Sequence, residues 1–247
     1  MITMNKRILT CTLACFAGSL LVAQADPKAD ASSAAKKLSA AASYSWISAR
    51  KPDANADANN NRFRGGTTEG KTQKDGYTLI SMPRGDTTFM AVIKGEKQAF
   101  RGQDGWQAVE APSGDDAGGG GRGAFTGRML RNFKAPAEQL QGLLAQCESV
   151  TLAEGAFSGT LNAEGARELM TFGRGRGGDN APQFTGLKGS VKVWVKDGVV
   201  SKYEYTVQGS MNFNGNDREI NRTTVVEIKD VGSTKVEIPE EAKKALS

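Results

Sequence analysis

The chain has 247 residues, a formal net charge of +5 from 32 basic and 27 acidic side chains, and no histidine. Without histidine there is no Ser-His-Asp or Cys-His catalysis and no imidazole-bound metal. The mild positive charge argues against nucleic-acid binding.

The N-terminus sets the compartment. Asn5-Lys6-Arg7 is a basic start, 8–22 an apolar run, and Ala23-Gln24-Ala25 a small-residue cleavage site before Asp26. That is the pattern of a secretory signal peptide over 1–25. Its removal between Ala25 and Asp26 takes Lys6 and Arg7 with it and lowers the net charge from +5 to +3. Cys11 and Cys15 leave as well, so Cys147 remains without an internal disulfide partner. The apolar run is interrupted by Thr, Gly and Ser, and no second one follows, so a membrane span is not expected. The protein is at most peripheral to a membrane. Lipid anchoring at Cys15 is disfavoured, because Thr12 starts a lipobox poorly and the apolar run continues past the cysteine. The expected destination is the periplasm or another exported location.

Residues 26–247 read as one domain. Asp26-Pro27 caps a helix with Ala31, Ala34, Ala35, Leu38, Ala41 and Ala42 on one stripe, whose small side chains suit a close approach to a sheet. Tyr44 to Ser48 forms a first strand, and 51–62 is a polar loop rich in Asn, Asp and Ala. Strands follow at 63–73, 77–82, 87–94 and 97–101, joined by turn residues such as Asp75-Gly76 and Gly95-Glu96. The stretches 77–82 and 89–93 are apolar on both faces, as in a strand covered on both sides or lining a cavity on one. A Gly/Asp loop covers 112–124, and Pro136 opens a helix with Leu140, Leu143, Leu144 and Cys147 along one stripe. Strands at 149–152 and 156–161 lead to Asn162, which caps a helix over 163–172 with Ala166, Leu169 and Met170 inward. A Gly/Arg loop spans 173–183.

The chain closes in a meander. Val191, Val193 and Val195 alternate with Lys192, Trp194 and Lys196, the period of a half-buried strand. Asp197-Gly198 marks a hairpin. A regular two-residue turn would set Val193 against Lys202 and Val191 against Glu204. A three-residue loop instead puts the valines on one face with Tyr203, Tyr205 and Val207, so the longer loop is expected. The stretch 212–221 reads as a polar turn, 223–229 as the returning strand and 235–238 as a last short strand. Pro239 then opens a helix with acidic residues first and lysines last.

Motifs for chemistry are scarce. Cys147 shares its stripe with leucines and reads as a core thiol. Asp115-Asp116 lacks the alternating oxygens of a calcium loop, and the glycines before Arg122 lack the Lys-Ser/Thr of a phosphate loop. The Arg-Gly segments are short, scattered and free of interleaved aromatics, so they read as solvated loops. No nucleophile–base pair stands out, and no enzyme, cofactor or metal centre is expected. What remains is an excess of apolar strand positions over covering helices. A sheet face short of partners is suited to enclosing an apolar ligand. The candidate lining is Trp46, Ile80, Met82, Met90, Val92, Val193, Val195, Tyr203 and Tyr205.

Taken together, the leader, an Ala-rich helix running directly into a Tyr-x-Trp strand, an antiparallel run, two mid-chain helices and a closing meander resemble the LolA/LppX superfamily of exported lipid and lipoprotein carriers. The segments that carry the resemblance are 191–198, 224–232 and 236–239, with the Pro136 helix and 161–170 in support, and it spans most of 27–246. It implies an α+β fold, a curved antiparallel sheet forming an incomplete barrel with helices over its concave face. It also implies a periplasmic, non-catalytic carrier for an acyl chain, lipid or lipoprotein. No functional residue carries over one by one, and the Gly/Arg and Asn-rich loops depart from the pattern. The other reading is a cell-envelope scaffold or sensor that binds a protein partner through its loops, without a lipid ligand.

Overall fold

The structure, a computed structural model, describes residues 26–51, 66–85, 87–109, 122–171, 183–213 and 215–247. The expected leader and most of the three expected loops lie outside these residues.

Helix α1 (Pro27–Ala40) starts where the capping pattern places it: the Asp26 carboxylate accepts from the backbone N–H of Lys28 and Ala29. Its stripe buries Ala31, Ala34, Ala35 and Leu38, whereas Ala41 already has extended backbone and ends the helix. Strands β1 (Ser43–Arg50), β2 (Thr68–Gln73), β3 (Thr78–Arg84), β4 (Thr87–Lys94), β5 (Lys97–Gly102) and β6 (Gly105–Ala108) run as one meander. Helices α2 (Arg122–Arg131) and α3 (Pro136–Ala145) follow, then β7 (Cys147–Ala153), β8 (Ala156–Leu161) and α4 (Ala163–Thr171). A second meander, β9 (Gln183–Lys196), β10 (Val199–Phe213) and β11 (Asn216–Lys229), precedes α5 (Glu240–Ala245).

All eleven strands form one antiparallel sheet in the order β6-β5-β4-β3-β2-β1-β11-β10-β9-β8-β7. The two meanders are sewn together by β1 and β11, with Trp46 opposite Ile228. The outermost strands β6 and β7 do not pair with each other, so the sheet is an incomplete barrel. This is the α+β architecture expected from the sequence.

The β9–β10 hairpin reaches the expected facing by a different route. Val200 pairs with Val195, so the turn has two residues, with φ of 53° at Asp197 and 75° at Gly198. That left-handed pair is the geometry that matches strand twist. Ser201 is then an extra residue on β10, a bulge that brings Tyr203 opposite Val193 and Tyr205 opposite Val191. The expected three-residue loop is therefore corrected to a two-residue turn plus a bulge, which yields the same face.

Two further elements are also corrected. The polar stretch 212–221 is mostly strand, because β10 and β11 stay paired out to Asn212 and Asp217. Cross-strand polar pairs such as Gln208–Asn221 and Asn212–Asp217 sustain it in place of apolar burial. The stretch 235–238 is not a strand: it crosses the convex face of the sheet, burying Ile238 and half-burying Val236, with no ladder partner. Its alternation reflects packing against a face.

The core follows from these faces. On the concave side, α1, α2 and α3 pack Leu38, Leu130, Leu140 and Leu144 against Trp46, Ile80, Val193, Tyr203 and Val226. On the convex side, α5 and its approach place Ile238, Ala242 and Leu246 over Val92 and Ala99. The two-faced apolar character of 77–82 and 89–93 is thus used on both sides, at about 1.5–3 kcal/mol per fully buried large side chain.

Candidate functional site

Among the described residues the concave face is closely filled under α1 and more loosely filled under the end of α2 and the start of α3. There the floor is built around Trp46 of β1, which stands opposite Gly70 of β2. Only glycine fits: a Cβ at position 70 would overlap Cζ2 and Cε2 of the indole and lie 2.8 Å from Nε1. The ring lies flat across that gap, its Nε1–H donating to Thr72 Oγ1 at 3.2 Å. Phe133, in the link between α2 and α3, stacks on it with centroids 5.9 Å apart and planes 25° apart.

Helix α3 is held over the sheet by two tyrosines. The Tyr203 hydroxyl, fully buried on β10, donates to Gln139 Oε1 at 2.7 Å and lies 3.3 Å from the Pro136 carbonyl. The Tyr44 hydroxyl accepts from the Ala137 N–H at 3.4 Å. Burial pushes the Tyr203 phenol well above its usual pKa, and neighbouring Tyr205 and Tyr44 add to the effect. Burial likewise raises Tyr44, against hydrogen bonds that lower it. Both phenols are therefore neutral hydrogen-bonding posts.

Between floor and roof lies a hollow of about 160 Å³. Trp46, Ile80, Met82, Tyr203, Tyr205 and Val226 form the sheet side. Met129, Leu130, Phe133, Pro136 and Gln139 form the helix side, and Ser48, Thr68 and Lys134 complete the lining. Lys134 alone among these lining residues carries a charge. Its Nζ pairs with Glu168 Oε1 of α4 at 2.9 Å, the two side chains being 42% and 52% exposed. A larger recess of about 440 Å³, between the end of α1 and the start of α3, is wider open and lined by Lys36, Lys74, Asp75 and Glu138 among others. Its polar lining suits water more than an apolar guest.

Of the nine candidate residues, Trp46, Ile80, Met82, Tyr203 and Tyr205 border the hollow. Val193 is fully buried in the concave core, and Val195 packs against that core half-buried. Val92 lies in the convex cluster under α5. Met90 pairs with Ser81, out of phase with the inward-facing Ile80 and Met82, and so shares Val92's side of β4. Sequence reasoning passed over the roof, although a signal was present. Thr126, Met129, Leu130 and Phe133 fall at i, i+3, i+4 and i+7, the stripe of an amphipathic helix.

The arrangement can shelter a small apolar body and offer it one cation. Among the described residues no three His, Cys, Asp or Glu side chains gather in a way that could hold a metal, and no helix is long and apolar enough to cross a membrane.

No family model matches the sequence and no curated protein matches it. Among solved structures the chain is similar in fold to the lipoprotein LppX of Mycobacterium tuberculosis, at 7% identity and a TM-score of 0.44, covering 85% of this chain and 97% of that one. It is also similar to LprF of Mycobacterium bovis, at 12% identity and a TM-score of 0.42, covering 87% of this chain and 97% of that one.

Proposed function

We propose that this chain is an exported, non-catalytic carrier or binding protein for an apolar ligand of the acyl-chain kind. The reading rests on one observation: the hollow under α2 and α3, walled by aromatic and aliphatic side chains and bordered by a single charged residue. Apolar cavities of about 150 Å³ stay dry and accept a benzene-sized guest, and this one has about 160 Å³. It therefore takes a body of about six carbons as it stands. A longer chain must lead out past the rim or part Phe133 from Trp46. The leader-like pattern of 1–25 supports export.

The test is native mass spectrometry and solvent extraction of the mature chain from its own envelope fraction, with titration of an apolar fluorescent probe. A co-purifying apolar molecule, or saturable probe uptake that quenches Trp46, is expected. No extracted molecule together with no uptake would end the reading.

A further inference from the structure

Resting on that reading, we propose that the guest is an anionic amphiphile: a carboxylate held by Lys134 and Gln139, carrying a short apolar body of about six carbons. Lys134 is the one charged side chain among the residues lining the hollow, and it is a cation. Gln139 lines the hollow as well, and its Oε1 is taken by the Tyr203 hydroxyl at 2.7 Å. Its amide NH₂ is thereby left to donate. A carboxylate accepts on two oxygens, which suits one ammonium and one amide donor.

Both residues also line a crevice of about 30 Å³ between α3 and α4, so that hollow and crevice lie on either side of the same two side chains. That is room for about two water molecules, enough for the oxygens of a head and too little for a chain. The crevice already houses a carboxylate: Glu168 accepts from Lys134 Nζ at 2.9 Å and from Gln146 Nε2 at 3.3 Å. The Lys134–Glu168 pair is 42% and 52% exposed, and pairs so exposed are readily exchanged. The guest's carboxylate competes with Glu168 for the same ammonium, and the volume of the hollow limits how much of the tail behind it is sheltered.

The experiment is ligand-observed NMR titration of the mature protein with hexanoate and with hexanol, equal in chain length and different in charge. Hexanoate should bind at least tenfold tighter. Lys134→Gln, at a half-exposed position, should erase the preference while leaving hexanol unchanged, and Glu168→Gln should widen it several-fold. Between butanoate and hexanoate the affinity should rise roughly fourfold per methylene, the equivalent of about 0.8 kcal/mol per buried CH₂, and then level off. Hexanol binding as tightly as hexanoate, or a preference that survives Lys134→Gln, overturns the assignment of the head while leaving the hollow as a binding site. A rise that continues unabated to dodecanoate overturns the size limit. Failure of both compounds to bind the folded protein overturns this proposal and the carrier reading together.

Discussion

Gly70→Ala tests the construction of the hollow's floor more sharply than any truncation. One added methyl would overlap Cζ2 and Cε2 of Trp46 and sit 2.8 Å from Nε1. The indole cannot yield easily: it is 3% exposed, stacked on Phe133 and tied to Thr72. Overpacking of this kind costs about 1–3 kcal/mol, and displacing the ring forfeits a hydrogen bond worth about 1 kcal/mol. Replacing glycine within a strand returns about 0.5–1 kcal/mol. The net loss is about 1–3.5 kcal/mol, or roughly 2–14 °C in Tm for a chain of this size. Urea and thermal unfolding measure it. The control is the Trp46→Leu background, where the methyl meets no ring and Gly70→Ala should be neutral or slightly stabilising. A coupling of about 2–4 kcal/mol between the two sites is then expected. If Gly70→Ala costs the same in both backgrounds, the indole does not rest on the glycine and the described floor is wrong.

Three further outcomes can be measured on the same material. Asp26→Ala removes both cap hydrogen bonds of α1 and should lower stability by about 1 kcal/mol. If it does nothing in urea unfolding, the helix does not begin there. Asp197→Val should cost about 1–2 kcal/mol, because a β-branched residue resists the left-handed φ of 53° at that position, whereas Asp197→Gly should be neutral or stabilising. A destabilising Asp197→Gly would favour the longer loop. Tyr203 ionises far more readily unfolded than folded, since burial holds its phenol well above the usual pKa. Its contribution is complete below about pH 10 and is lost as pH rises from there towards the folded value. Urea midpoints should fall above about pH 10 more steeply in the natural chain than in Tyr203→Phe, and equal slopes would remove Tyr203 as the cause.

The sequence exposes faces better than it exposes what joins them. Alternation along 191–207 places the valines and tyrosines on one side of the sheet, and they are there. It cannot show the bulge at Ser201, because a bulge and a longer loop each shift the register by one residue and leave the same faces aligned. The ribbon beyond Val207 is illegible for another reason. It is held by cross-strand polar pairs, and a polar strand looks like a turn when burial is the only signal. The stretch 235–238 fails in the opposite sense, since alternating burial arises on any segment laid across a face. Val92 and Met90 illustrate the cost of two-faced strands. With apolar residues on both sides, period alone cannot say which side α5 covers, and that depends on a helix more than a hundred residues away.

The position of the hollow follows from side-chain size. Over β7 to β10 the cover is α1 together with α4, and the alanines of α1 bring its backbone close enough for Val191, Val193 and Val200 to be fully packed. Close packing of that kind leaves no gap larger than a water molecule. The half of the concave face built from β1 to β3 gains its cover from the end of α2 and the link into α3, and there the contacts are made by Met129, Leu130, Phe133 and Pro136. Flat rings and an unbranched thioether meeting Trp46 and Tyr203 do not interdigitate as alanine and valine do. The roof is also fixed by the hydrogen bond that Ala137 donates to Tyr44 and the one that Tyr203 donates to Gln139, which hold α3 at a set height and keep it from settling onto the floor. Space under a roof propped in this way is a consequence of the props. The two buried phenols keep the hollow open, and Trp46 on Gly70 sets its depth.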